Sequence, residues 1–238
     1  MDTFVVNGKT PLHGDFTVAG AKNVALKALV TSLLTDDPIE LTNVPDIRDV
    51  HLMLDVLESL GVTHAWKNGI VTIQNGKTQS YTVPLEVGAR LRTSSMVLGP
   101  LLARYGQAKI PNPGGCRIGA RPIGRHIDGI RAMGSSVEYS SSDGFFHAKS
   151  EHGLHGAQIS FIKNTHTGTE TILLAAVLAE GKTVITNAAE EVEVDDLIAL
   201  LTAMGAKISR TAPREITVEG VPTLHGAVHK IMPDRNEE

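Results

Sequence analysis

The chain has 238 residues, 42% of them apolar and 20% charged, a composition that fits one large or two modest globular domains and argues against disorder. A net charge of −4 and an aromatic content of 4% remove the basic field and the stacking surface of nucleic-acid binding, so no nucleic-acid partner is expected. The longest apolar run, residues 172–179, is too short to span a bilayer, Met1-Asp2-Thr3-Phe4 lacks signal-peptide character, and the lone Cys116 excludes an internal disulfide and a four-cysteine zinc site. A soluble, cytoplasmic protein without membrane contact is expected.

From the amino end, Leu12-His13-Gly14 leads into a strand, and Lys22-Asn23 opens an apolar helix reaching Val30. The short strand Ile39-Glu40-Leu41-Thr42 ends in Asn43. A second helix places Leu52, Val56, Leu57 and Leu60 at helical period and stops at Gly61, which takes the left-handed cap conformation at little cost. Ile70-Val71-Thr72-Ile73 is a β-branched strand. This order then recurs. A helix from Arg92 to Tyr105 precedes a strand before Asn112 and a helix ending at Gly134. A helix from Thr171 to Leu178 precedes Val184-Ile185-Thr186-Asn187, a helix ending at Gly205 and the strand Glu215-Ile216-Thr217-Val218.

The three cap glycines lie 73 and 71 residues apart, too long a period for a solenoid. The fold class read from this is α/β (α+β): three pseudo-equivalent βαβαββ units, at about 22–85, 86–155 and 156–229, with helices inside and sheets outside. Leu-His-Gly returns at Leu154 and Leu224, so a fourth unit is expected to open after Gly226. Its histidines read as solvent-facing turn residues and not as metal ligands.

The repeat is broken at one place. The spacing from the strand-end Asn to the cap Gly is 18 residues in the first and third units, but 22 between Asn112 and Gly134. The extra residues fall in Pro113-Gly114-Gly115-Cys116-Arg117-Ile118-Gly119-Ala120-Arg121-Pro122, a Gly-rich loop holding the only cysteine between two arginines, with Arg125 and His126 just beyond. Adjacent cations lower a thiol pKa, so Cys116 is a candidate reactive thiolate or acid. Gly119 and Gly124 imitate phosphate-loop spacing, but Arg125-His126 replaces the Lys-Ser/Thr that an ATPase requires. Lys22-Asn23 and Arg92 open equivalent helices, where an anion would be favoured. Glu190, Glu191, Glu193, Asp195 and Asp196 read as acids matched to a helix dipole more naturally than as a metal cluster. His225 and His229 have helical metal-pair spacing but lie in a strand, so no metal site is assigned.

Together, Gly20-Ala21-Lys22-Asn23, residues 98–104, the cysteine loop, Leu178-Ala179-Glu180-Gly181, Asn187-Ala188-Ala189-Glu190-Glu191 and Pro233-Asp234-Arg235 resemble the UDP-N-acetylglucosamine 1-carboxyvinyltransferase (UDP-N-acetylglucosamine enolpyruvyl transferase) family. Its fold is that of the EPSP synthase-like enzymes. The resemblance implies transfer of enolpyruvate from phosphoenolpyruvate to the 3-hydroxyl of UDP-N-acetylglucosamine with release of phosphate, the first committed step of peptidoglycan synthesis, without metal or organic cofactor. By position it implies Cys116 as proton donor able to form an adduct, and Lys22, Asn23 and Arg121 on phosphoenolpyruvate. It implies Arg92, Arg121, Pro122, Ile123, Gly124, Arg125, Lys163, Asn164, Thr165 and His166 on the sugar nucleotide.

Three positions depart from the family. Gly124 stands where an acidic residue is usual, which bears on one nucleotide contact; Lys27 and Val192 each replace a usual Pro and are expected to be harmless. The resemblance also implies two such domains, the second supplying an aspartate base and further arginines. Residues 1–20 are then expected as lead strands or hinge belonging to that second domain, 21–229 as the cysteine-loop domain, and 230–238 as the beginning of the second. The chain is expected to hold one wall of a two-walled site and to act with a complementary domain; the alternative is a non-catalytic UDP-sugar-binding or regulatory module.

Overall fold

The computed structural model describes residues 3–9, 11, 13–76, 78, 80–113 and 122–237. The described residues of 3–19 run outside helix and strand, with Phe4, Val5, Val6 and Phe16 exposed. The first unit comprises α1 (Lys22–Val30), a 3-10 turn at Thr31–Leu34, β1 (Ile39–Thr42), α2 (Arg48–Ser59), β2 (Val62–Lys67) and β3 (Ile70–Asn75). The second comprises α3 (Leu85–Gly88), a 3-10 stretch at Arg92–Val97, α4 (Leu98–Tyr105), β4 (Gln107–Pro111), α5 (Gly124–Ala132), β5 (Ser136–Ser140) and β6 (Phe145–Lys149). The third comprises β7 (Gln158–Ser160), α6 (His166–Ala176), β8 (Lys182–Thr186), α7 (Val192–Ala203), β9 (Lys207–Ala212) and β10 (Glu215–Glu219), and β11 (Val228–Lys230) follows it.

Three sheets surround the helices, in the orders β11-β1-β3-β2, β4-β6-β5 and β7-β8-β10-β9. The pairing repeats. β11 runs parallel to β1, β7 runs parallel to β8, and Thr82 makes a single parallel bridge to Lys109 where the second sheet would have its lead strand. The stretch after Gly226, read from the sequence as opening a fourth unit, is therefore the lead strand of the first sheet. The Leu-His-Gly turns at 154 and 224 feed such strands: the backbone N–H of His155 donates to Met133 and that of His225 to Met204, seating both rings over the cap glycines Gly134 and Gly205. Residues 13–19, expected to open a strand, form none. Gly61, Gly134 and Gly205 have φ of 99°, 94° and 100°, as the cap reading requires.

Two helix boundaries differ from the sequence reading. The helix expected from Arg92 begins as 3-10 and becomes α only at Leu98. Pro100 sits in the first turn of α4, where its missing N–H costs nothing, but it would break a helix that began at Arg92. α6 begins at His166, a turn and a half before the expected Thr171, because Thr165 caps it by accepting from the Gly168 N–H at 3.2 Å.

The core lies among the helices. Every residue from Val24 to Val30 in α1 and from Gly168 to Ala176 in α6 is buried, as are the first five of α4. Gly99 of α4 lies against α6 so closely that a Cβ there would be 2.8 Å from the Thr171 carbonyl oxygen and 3.2 Å from the Ala175 nitrogen. Gly99→Val is expected to cost about 1–3 kcal/mol by overpacking. Gly124→Ala, with open space around the new Cβ, should stay within about 0.5 kcal/mol of the native chain in urea unfolding.

Candidate functional site

In each unit the second helix connects parallel strands, β1 to β2, β4 to β5 and β8 to β9, so it starts at the carboxyl end of the first strand. α6 does the same between β7 and β8. α1 joins this pattern because Gly20, which admits no Cβ against the Asn43 carbonyl, holds the start of α1 over the end of β1. The strand-end asparagines secure the same face in two units. Asn43 Nδ2 donates to the Ile231 carbonyl at 2.9 Å and Asn187 Nδ2 to the Phe161 carbonyl at 2.8 Å, each beside the end of a lead strand.

One group of predicted residues gathers around α5 and α6. Arg125, exposed in the first turn of α5, donates through Nη1 to the Asn164 carbonyl at 3.4 Å, and Asn164 Nδ2 donates to the Ala188 carbonyl at 3.3 Å. Thr165 and His166 form the amino end of α6, Lys163 is exposed just before it, and Pro122 and Gly124 are exposed at the start of α5. Ile123 is buried, 4% exposed, so it anchors the helix start and offers no side chain to solvent. Arg92 opens its 3-10 stretch close enough to His126 for its charge to act on the ring.

His126, 5% exposed, is the structural centre of this group and was absent from the predicted site. Its Nε2 is 2.9 Å from Thr167 Oγ1, while its buried Nδ1 has no hydrogen-bond partner among the described residues. Burial, followed by the charge of Arg92, lowers its pKa from 6.5 to about 4, against an opposing backbone contact at Ile123 and with a smaller push from Arg125. The ring is therefore neutral near pH 7. Its sequence signal was its place beside Arg125 one turn into a helix.

Lys22 and Asn23 belong to a second group. The Lys22 backbone N–H donates to Asp234 Oδ2 at 3.2 Å, and its Nζ is 3.1 Å from Asp49 Oδ2 in the first turn of α2. Asn23 is half-buried in the same helix turn. Burial alone would raise the Asp234 carboxyl, but the hydrogen bonds from Asn236 and from Lys22, with the Lys22 charge, hold it below the usual carboxylate range. Residues 19–22 and 231–235 lie antiparallel, with Ala21 N–H to the Met232 carbonyl and Asp234 N–H to the Ala19 carbonyl, both at 2.8 Å.

The two groups are joined inside the core. Lys27, read from the sequence as a harmless replacement, is 2% exposed, and its Nζ lies 3.2 Å from Oε2 of the fully buried Glu170 in α6; Glu170 Oε1 is 3.2 Å from His166 Nε2. The pairing has a physical reason: a charge inside an apolar helix must find a countercharge, and α6 supplies it.

Cys116 and Arg121, with the rest of 114–121, lie outside the described residues. β4 leads to Asn112 and Pro113 before that loop, and Pro122 follows it.

The acidic stretch before and within α7 is paired with cations and an imidazole. Arg214 meets Glu190, Arg235 meets Glu193, Arg210 meets Asp195 and His229 meets Asp196. Among the described residues no group of three His, Cys, Asp or Glu is placed to hold a metal ion, and no helix is long and apolar enough to cross a membrane. A groove of about 470 Å³ between α5 and β7 has Gly129, Phe161 and Ile162 in its wall and Arg125 and Lys163 at its rim. A hollow of about 480 Å³ on the β4-β6-β5 sheet, lined by Tyr81, Lys109, Glu138 and His147 among others, holds none of the predicted residues and no helix amino end. With several cations beside helix amino ends, the α5–α6 face can hold a multiply charged anion next to an apolar wall.

The sequence model of the EPSP synthase (3-phosphoshikimate 1-carboxyvinyltransferase) family matches residues 6–237. Proteins named UDP-N-acetylglucosamine 1-carboxyvinyltransferase from Acidobacterium capsulatum and Cellvibrio japonicus are 47% and 44% identical over the whole chain. The chain covers 55% and 56% of them, so it spans about half the length of the curated relatives it matches. Among solved structures, the enolpyruvyl transferase NikO from Streptomyces tendae superposes with a TM-score of 0.82 at 19% identity, over 95% of this chain and 53% of that one. An EPSP synthase from Acinetobacter baumannii does so with 0.73 at 22% identity, over 92% and 50%. These two likenesses establish the fold, the mixed α/β architecture expected from the repeat.

The buried neutral state of His126 makes stability depend on pH. Below pH 6.5 the unfolded chain takes up a proton that the folded chain accepts only near pH 4, so stability is full above the first value and lost as pH falls to the second. Between pH 7 and 4.5 this residue should contribute a loss of about 2–3 kcal/mol. Urea unfolding of the native chain and His126→Gln at both pH values measures it, and the loss should be smaller in the variant by that amount.

Proposed function

The chain belongs to the EPSP synthase family, and on that premise we propose that it forms the cysteine-loop half of an enolpyruvyl transferase acting on phosphoenolpyruvate and UDP-N-acetylglucosamine, at the first step of peptidoglycan synthesis in the cytoplasm. The observation that carries this reading is the 43–47% identity, over the whole chain, to relatives bearing that name. The Arg125–Asn164 contact and the groove beside Lys163 support the nucleotide part of it.

The chemistry assigns each residue type a task. Enolpyruvyl transfer protonates the phosphoenolpyruvate methylene while the sugar 3-hydroxyl attacks the adjacent carbon; loss of the methyl proton then expels phosphate. In this reading Cys116 supplies the proton, and Lys22, Asn23 and Arg121 hold the phosphate at the amino end of α1, where the helix dipole adds to their charge. Asp49 pairs with the Lys22 side chain and Asp234 accepts from its backbone N–H. Arg92 and Arg125 offset the diphosphate, with the Lys163, Asn164, Thr165 and His166 segment alongside. The exposed Gly124 has no side chain to offer, so the acidic contact usual in the family is missing at this position. No cofactor takes part.

The relatives are about twice as long, and a complementary half is assigned the base that removes the hydroxyl proton. The adjacent segments 19–22 and 231–235 are the natural crossings to it, with residues 1–20 and 230–238 belonging to that side. The half-length match also favours a second reading, a UDP-sugar-binding module without turnover.

Calorimetry and phosphate release separate these. The 238-residue chain should bind UDP-N-acetylglucosamine without releasing phosphate, and Arg125→Ala or Lys163→Ala should weaken binding about tenfold. Addition of the complementary half of a full-length relative should start phosphate release, and Cys116→Ser should slow it at least about 100-fold. Release by the chain alone would overturn the half-site reading; binding without release in the mixture would favour the module; neither binding nor release would overturn both.

A further inference from the structure

Glu170 is fully buried in the middle of an apolar helix and carries a charge that hydrophobic packing does not need. Replacing such a pair by apolar residues is commonly neutral or stabilising, so packing does not explain Lys27 and Glu170. Lys27 supplies the countercharge from α1, and the second oxygen of Glu170 faces His166 Nε2 at 3.2 Å, one helical turn earlier in α6. Neither carboxylate oxygen, nor the buried His166 Nε2, meets hydrogen-bond geometry with any described residue, so Glu170 acts on both neighbours through its charge; the His166 side chain is 25% exposed. A bare ring-nitrogen lone pair would be repelled by a carboxylate oxygen 3.2 Å away, so the buried charge of Glu170 favours hydrogen on Nε2.

We propose that Glu170, balanced by Lys27, is a positioning residue that fixes His166 as the Nε2–H tautomer, leaving Nδ1 as an acceptor that reads a hydroxyl or amide N–H of the sugar nucleotide at the amino end of α6. The ligand rests on the reading under Proposed function; the tautomer does not. The same pair ties α1, which carries Lys22 and Asn23, to α6, so the two groups of site residues are held in one register.

Long-range proton–nitrogen spectra of the imidazoles test the tautomer in the unliganded native chain, where His166 should carry its hydrogen on Nε2; a hydrogen on Nδ1 overturns the proposal without any variant. The paired substitution Lys27→Met with Glu170→Leu removes both charges together and leaves neither unpaired. In it the His166 hydrogen should distribute over both nitrogens, and the affinity for UDP-N-acetylglucosamine should fall about tenfold. His166→Phe should lose as much, and adding it to the paired variant should cost nothing further. Unchanged affinity in the paired variant overturns the proposal. Absence of nucleotide binding by the native chain would instead count against the functional reading, and the tautomer would still decide this one.

Discussion

The inner helices are buried on every side, and this constraint shapes the rest of the molecule. α1, the start of α4 and α6 expose almost nothing along their lengths, so their polar groups can reach solvent only at their ends. Because strands and helices alternate in βαβ crossovers, those amino ends lie beyond the carboxyl ends of parallel strands, where unpaired N–H groups are available. The result is a face on which Lys22, Arg92, Arg125 and the 163–166 segment sit over an apolar interior. Close helix packing, with Gly99 directly against α6, is what makes that interior continuous.

Between α1 and α6 charge enters the interior. The Lys27–Glu170 pair is expensive to desolvate, and the countercharge 3.2 Å away offsets part of that cost. Its location one turn below the helix ends puts it beneath the site and not within it. A second polar anchor, Arg235 to Glu193, holds the 231–235 segment against α7, and the neighbouring Asp234 meets Lys22. The ends of the chain and the site are thus mechanically connected.

Pseudo-symmetry separates what the fold needs from what function adds. Asn43 and Asn187 adopt left-handed backbone, φ of 57° and 53°, and make the same side-chain bond to a neighbouring strand end. Asn112, their counterpart, instead donates its backbone N–H to the Gly144 carbonyl at the point where the chain enters the cysteine loop. Among the described residues, the second sheet likewise has a single bridge in place of a lead strand. The unit with the enlarged loop is, among the described residues, the one whose scaffold is least regular.

Much of this was legible in the sequence by itself. The period of the cap glycines, the β-branched strands and the apolar helices determined three α/β units with helices inside, because cap conformation and hydrophobic period are local properties of a few neighbouring residues. The broken spacing after Asn112 and the residues at helix starts pointed to a candidate site for the same reason. Partners distant in the chain were not legible. Strand β11 pairs with β1 across nearly the whole sequence, Lys27 finds Glu170, and His126 becomes neutral beside Arg92. Each depends on which elements meet in space, and a buried charge or ring has no local pattern that names its partner. Tertiary structure alone decided that Lys27 is interior and that His126 belongs to the site, since desolvation and countercharge are set by packing.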